Sequence, residues 1–351
     1  MILQLSHLSD DPFSKHLSSL HKVCILPINN YVILAISYYF IFHKSSDGGI
    51  WRVMLQIILN FGILIILPAI FIYLLWVANF KSKFEWILDA FVTVLLTSWL
   101  IQAGNWSWFS YYIRFIWIAP LILALYFSWQ KMRHKPFFAT YSWSQRLTIV
   151  VYFVLVFVFG LYNVSTIQSY TVSDETLELA FPLKDGTYYI GQGGNNEIMN
   201  YHQIVSEQKY ALDILKINSL GIRANGFYPK DLEKYHIYGD DLYSPCDGEI
   251  VAMANDLPDQ IPPESDTENI VGNHVEIVCD KHDASIYMAH MQKGSVVVDE
   301  GEQVEVGQKL GKVGNSGNTT EPHLHMHAEL DGEGIPITFN ERFLVRNSLV
   351  K

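Results

Sequence analysis

Glu321-Pro-His-Leu-His-Met-His327 alternates imidazoles with large apolar side chains. On a β-strand, residues i, i+2 and i+4 share a face. His323, His325 and His327 then line one side, and Leu324 and Met326 enter a core from the other. Buried uncharged imidazoles need hydrogen-bonding partners, so a row of three is an unusual way to build a core. Metal binding or catalysis by at least two of them is the stronger reading. A solvent-facing polar stripe is the alternative.

The sequence around this stretch has the same texture. Short alternating or β-branched segments occur at 177–181, 188–190, 248–253, 274–279, 285–290, 294–298, 309–313 and 323–330. Turn clusters such as Lys184-Asp-Gly186 separate them. No apolar period of 3.6 residues persists here, so the spacing predicts a mostly antiparallel all-β domain. Two insertions interrupt it. Residues 257–269 carry prolines and acids and are expected as an exposed loop, and 218–240 form another insertion.

The first half reads differently. Cut at Thr166, it holds 11 Lys+Arg and 5 Asp+Glu, whereas the remainder holds 13 and 30. Only 17% of the whole chain is charged, below the roughly one quarter usual in soluble proteins. A basic, apolar half joined to an acidic, polar half excludes a single soluble domain and a disordered chain. The acidic excess also argues against nucleic acid as a partner of the soluble half, because it would repel phosphate. Three cysteines are too few for a disulfide-rich scaffold. Cys246 and Cys279 could bond outside the cytoplasm, with buried thiols the simpler expectation. Cys24 lies in or beside the first apolar run.

Apolar runs at about 23–42, 55–78, 86–104, 112–130 and 147–166 approach the roughly 20 residues that a membrane helix needs. They predict an α-helical transmembrane bundle of four to five helices over 1–166. A linker with the first hairpin strand follows at 167–189, and an extracytoplasmic β-rich domain at 190–351. The first run is too long, and followed by too many others, for a removable signal peptide. The 131–146 connection carries Lys131, Arg133, Lys135 and Arg146 with no acid, and Lys81 and Lys83 fall on the same side. The positive-inside bias makes that side cytoplasmic and puts the acidic half outside. Trp106, Trp108, Tyr111 and Tyr112 suit an aromatic belt at the outer boundary. Asp89 lies one turn from the cytoplasmic end of its helix, where contact with headgroup water is a better reading than an ion path.

The motifs also stand in a particular order. Ser244-Pro-Cys-Asp-Gly-Glu-Ile-Val251 is followed by Gly272-Asn273 and Tyr287-Met-Ala-His290. Gly307-Gln-Lys-Leu-Gly-Lys-Val-Gly-Asn-Ser-Gly-Asn-Thr-Thr320 then leads into Pro322-His-Leu-His325. Over roughly 190–330 this resembles the lysostaphin/LytM-type zinc metallopeptidases, peptidoglycan endopeptidases with a duplicated hybrid motif fold. The resemblance implies a Zn2+ cofactor and a peptide of bacterial peptidoglycan as substrate. With the helices it implies a multi-pass protein of the bacterial cell membrane, held in the lipid bilayer with its peptidase domain outside. It implies Asp213 and His325 as zinc ligands, and His290 and His323 as catalytic histidines that do not bind the metal.

One position departs from the family pattern. The first ligand usually stands four residues before the Asp, where this chain has Lys209, and an ammonium has no lone pair to give. The nearest upstream imidazole is His202, in Asn200-Tyr-His202. It is taken as the first ligand, with His236 the rival and a degenerate metal site the remaining alternative. The resemblance further implies that one of His290 and His323 accepts the proton of the attacking water while the other holds the oxyanion. His327 is expected in a groove wall, with orientation of a ligand as the alternative. His274 and His282 are expected in solvent, and Gly314-Asn-Ser-Gly317 as a tight turn that aims the His strand. A non-catalytic relative that binds wall peptide or a partner, and a membrane sensor or transport protein with an appended domain, are the competing readings.

Overall fold

The computed structural model describes residues 49–172 and 175–351. The first apolar run, 23–42, lies outside the described residues. Among the described residues, four helices are long and apolar enough to cross a membrane: Met54–Val77, Lys83–Ala103, Tyr111–Met132 and Trp143–Gln168. Within them α1 (Gly49–Phe61) passes through one π turn, Gly62–Ile66, into α2 (Leu67–Val77). Then follow α3 (Lys83–Ala103), α4 (Ile118–Met132) and α5 (Trp143–Gln168).

Local chemistry explains how these helices start and hold. Ser82 caps α3 by accepting from the Glu85 N–H at 3.2 Å, and Ser142 with Gln145 closes a capping box on α5. Pro68 has no N–H to return to the Leu64 carbonyl. The indole N–H of Trp117 donates to that carbonyl instead, at 3.0 Å. The Asn163 amide of α5 donates to the Leu95 carbonyl of α3 at 2.9 Å. Lys131 donates to the Trp76 carbonyl at the end of α2, at 2.6 Å, where a cation meets the negative end of the helix dipole.

From Leu177 the chain is β. The main sheet has nine strands: β1 (Thr187–Gln192), β2 (Leu212–Ile217), β3 (Gly248–Ala254), β4 (Asn273–Cys279), β5 (Ser285–Met291), β6 (Gln303–Val304), β7 (Leu324–Leu330), β8 (Glu333–Ile335) and β9 (Leu349–Val350). Its order is β9-β1-β2-β7-β5-β4-β3-β6, with β8 added beside β7, and every pairing in it is antiparallel. Alternation sends Leu324, Met326, Leu212, Ile214, Val275, Ile277, Ile286 and Met288 into one core.

Some expectations are corrected. Residues 294–298 are not a strand. Their backbone bonds go to Asn255 and to the Leu310 carbonyl, while Val296 and Val298 still fill the core. Insertion 218–240 is partly buried, with Arg223, Ala224, Tyr235 and Ile237 inside. Loop 257–269 is pinned to the 314–317 turn, where Asp259 Oδ1 accepts from the Asn315 N–H at 2.6 Å. Cys246 and Cys279 form a disulfide rather than free thiols. Gly248 and Cys279 are register partners, and a Cα separation of 5.9 Å across that edge is within bonding range.

The β half rests against the end of α3, the segment that follows it and the end of α5. Asn347 donates to the Gln102 and Gly104 carbonyls at 2.7 and 3.0 Å, and Arg346 to the Ala103 carbonyl at 3.0 Å. Ala103 packs with Met199 and Val345. Beyond α3, the Tyr111 N–H donates to the Gly221 carbonyl at 2.8 Å. A Cβ on Gly221 would lie 2.9 Å from that nitrogen, so glycine is needed for the close approach.

Candidate metal centre

The central strand β7 lies between β2 and β5, which brings three sources of side chains to one face. His325 is the register partner of Asp213 on β2 and of Ala289 on β5. A short 3-10 turn, Tyr201–Ile204, carries His202 over them. His290 ends the same face of β5 with φ +62°, a left-handed conformation that is uncommon for a residue with a Cβ. Strain of this kind concentrates at functional positions.

The geometry converges on one carboxylate oxygen. Asp213 Oδ1 is 3.0 Å from His202 Nε2, 3.1 Å from His325 Nδ1 and 3.6 Å from His323 Nε2. The Tyr201 hydroxyl donates to Asp213 Oδ2 at 2.9 Å. The rear nitrogens of the rings are occupied. His202 Nδ1 faces Gln208 Oε1 at 3.2 Å, His323 Nδ1 faces the Glu321 carbonyl at 2.9 Å and His290 Nδ1 faces the Ser316 carbonyl at 2.9 Å. These oxygens only accept, so each Nδ1 carries the proton and each Nε2 presents a lone pair. His325 Nε2 is 3.0 Å from His327 Nδ1. Donation along that contact leaves the lone pair of His325 Nδ1 facing Asp213.

Two lone pairs aimed at a carboxylate repel unless a cation lies among them. The donor atoms of His202, Asp213 and His325 all lie within 4.8 Å of one another, and all three residues are buried. Tetrahedral zinc with bonds of about 2.0–2.2 Å separates its ligand atoms by roughly 3.3–3.5 Å, close to what is found. Two imidazoles and one carboxylate also fit zinc chemically. Burial opposes ionisation of Asp213, but the surrounding imidazoles of His202, His323 and His325 hold its carboxyl well below the usual range. Burial lowers His325 to about 4. Burial, then His323 and His325, holds His290 well below the ordinary imidazole value. At neutral pH, Asp213 is therefore charged and His325 and His290 are free bases.

The structure brings together His202, Asp213, His290, His323 and His325. His236 stands outside the cluster, with its backbone bonded to the Arg223 carbonyl and its Nε2 buried without a partner. The Lys209 ammonium lies over the Tyr210 ring instead. His327 corrects the groove-wall reading: it is buried, stacks flat on Tyr287 at 4.6 Å and meets the rear of His325. The 314–317 turn aims His290 rather than the His strand, through the Ser316 carbonyl. A Cβ on Gly272 would lie 2.3 Å from that carbonyl oxygen. Sequence reasoning did not find Tyr201, Gln208 or Ser316. Only their positions beside His202 and within the glycine turn hinted at them.

Residues 235–336 match Peptidase family M23, so the C-terminal half carries an M23 peptidase domain. The match includes His290, His323 and His325, and ends short of His202 and Asp213. No curated protein matches the chain. Among solved structures, a putative M23 peptidase from Pseudomonas aeruginosa is 17% identical, covering 48% of this chain and 51% of that one, with a TM-score of 0.28. A zinc-containing peptidase from Vibrio cholerae is 18% identical, covering 36% and 48%, with a TM-score of 0.22. The catalytic domain of lysostaphin from Staphylococcus simulans is 22% identical, covering 32% and 83%, with a TM-score of 0.20. The chain spans about half the length of the first two.

Proposed function

We propose that the protein is a membrane-anchored zinc metalloendopeptidase that hydrolyses peptide bonds of bacterial peptidoglycan outside the cytoplasm. The observation that carries this reading is the convergence of His202 Nε2 and His325 Nδ1 on Asp213 Oδ1. His202, Asp213 and His325 would hold the ion. Bound zinc would supply Lewis acidity toward a scissile carbonyl and a nucleophilic water.

The remaining work falls to this chain's own groups. His290 and His323 lie side by side, with ring centroids 4.9 Å apart and each Nδ1 against a backbone carbonyl. One is placed to take the proton of the water. The other, once protonated, donates to the oxyanion. Tyr201 holds Asp213 Oδ2 and so leaves Oδ1 turned to the imidazoles. The glycine turn and the Glu321 carbonyl hold the two catalytic rings in one tautomer.

The outside location rests on the basic 131–146 connection and the four apolar helices. A reporter fused at Lys351 should be active only when exported. Activity only in the cytoplasm would end the wall-substrate reading. The function itself is tested with the purified full chain in detergent, loaded with zinc and incubated with peptidoglycan, the products being identified by mass. New peptide termini are expected. Zinc bound at one per chain with no cleavage would make the domain a binding module instead.

A further inference from the structure

The site described above does not use Arg223. This guanidinium is 3% exposed. Arginine keeps its charge, and a buried charge is costly unless it is paired. Its partners come from two distant parts of the chain. The Trp108 ring, in the loop between α3 and α4, lies 3.3 Å from the guanidinium carbon, and Nη1 donates to Ser107 Oγ at 3.3 Å. On the other side Nη2 lies 2.9 Å from Glu321 Oε2, as an ion pair rather than a directed hydrogen bond.

Glu321 is the residue whose backbone carbonyl receives the Nδ1 proton of His323. A second arm runs in parallel. Tyr228 packs on the same Trp108 ring at 4.9 Å, and its hydroxyl donates to the Thr320 carbonyl at 2.8 Å. The short stretch just before His323 is thus gripped twice, both times through one tryptophan of the helical half. Strand β7 begins only at Leu324, and within the β half this stretch is otherwise held by Thr319, whose hydroxyl lies 2.7 Å from the Glu321 carbonyl and 3.1 Å from His323 Nδ1.

We propose that Trp108, Arg223 and Glu321 are positioning residues that set the His323 imidazole, so that the helical half completes the peptidase site rather than only anchoring it. This rests on the peptidase reading for its consequence in turnover. A displacement of about 1 Å at a catalytic group can cost on the order of a hundredfold, and a cation stacked on a desolvated indole is held more firmly than one at an exposed ring. Removal of the indole leaves a buried guanidinium without its cover and frees both arms at once.

The test uses the full chain in detergent, with two readouts. Trp108→Ala should lower kcat on a wall-derived peptide roughly ten- to a hundredfold, with KM and zinc content unchanged. Trp108→Phe, which keeps a π face, should restore most of it. The second readout needs no activity. Diethyl pyrocarbonate labelling followed by mass spectrometry should show a severalfold change in the His323 rate in Trp108→Ala, with His282 unchanged as the control. Trp108→Leu replaces the alanine variant should the latter fail to fold. An active wild type whose His323 rate and kcat ignore Trp108→Ala would overturn the proposal alone. A wild type that cleaves nothing, but whose His323 rate follows Trp108, would overturn the peptidase reading and leave the coupling standing.

Discussion

The helical and β halves put the same bond, a side-chain donor to a backbone carbonyl, to different uses. In the helical half, side chains donate to helix carbonyls: Trp117 to Leu64, which Pro68 leaves without its usual donor, and Asn163 to Leu95 and Trp106 to Leu100 as additional bonds. In the β half, backbone carbonyls receive the protons of side chains: Glu321 from His323 and Ser316 from His290. The first arrangement ties helices to one another and to the segment after α3. The second spends a rigid carbonyl to fix which imidazole nitrogen is free. Buried polarity in one half stabilises a fold, and in the other it aims lone pairs.

If this contrast is right, mutations in the β half should disturb chemistry before stability. The largest effect is expected at the ligands. His325→Ala in the full chain should release zinc and abolish cleavage together, measured by atomic emission and peptide hydrolysis on the same preparations. His202→Ala should also lower zinc occupancy and His236→Ala should not; the reverse result would reassign the first ligand. Next come the two aimed histidines. His323→Ala should keep zinc while turnover falls roughly 10²–10⁴-fold. His290→Ala should resemble it, and the double variant should be less than additive. A His323→Ala protein without zinc would erase the distinction between holding the metal and acting beside it.

Smaller effects sharpen the comparison. His327→Phe keeps the stack on Tyr287 but removes the acceptor behind His325. It should weaken zinc affinity roughly 10–100-fold, read by competition with a chelator, and an unchanged affinity would return His327 to a packing role. In the helical half Trp117→Phe orphans the Leu64 carbonyl, at a cost of about 1–3 kcal/mol. It should lower the unfolding midpoint without touching zinc or kcat. A change in zinc content there would mean that the two halves do not divide their buried polarity as described.

Much of this was legible in residue order. The period of two in 321–327 gave the strand and its face, and Leu324 and Met326 do fill the core. The apolar runs gave four helices of sufficient length. What was hidden depended on contacts across long separations. Nothing near Arg223 announces that it lies between Trp108 and Glu321, 115 residues before it and 98 after, because an isolated Arg in a polar insertion reads as solvated. His327 looked like a wall residue, since its meeting with the rear of His325 depends on ring orientation and not on spacing. Residues 294–298 show a β-branched run without a strand, because their bonds to Asn255 and to the Leu310 carbonyl are single contacts and form no continuous ladder.

The left-handed backbone at His290 has an evolutionary side. Glycine adopts that conformation without penalty, whereas a Cβ there costs about 1–2 kcal/mol. A chain selected for persistence alone would carry glycine at this position. His290→Gly should therefore unfold at a higher temperature than His290→Ala, while both have lost the same imidazole. The pair separates conformational cost from chemical role at one position.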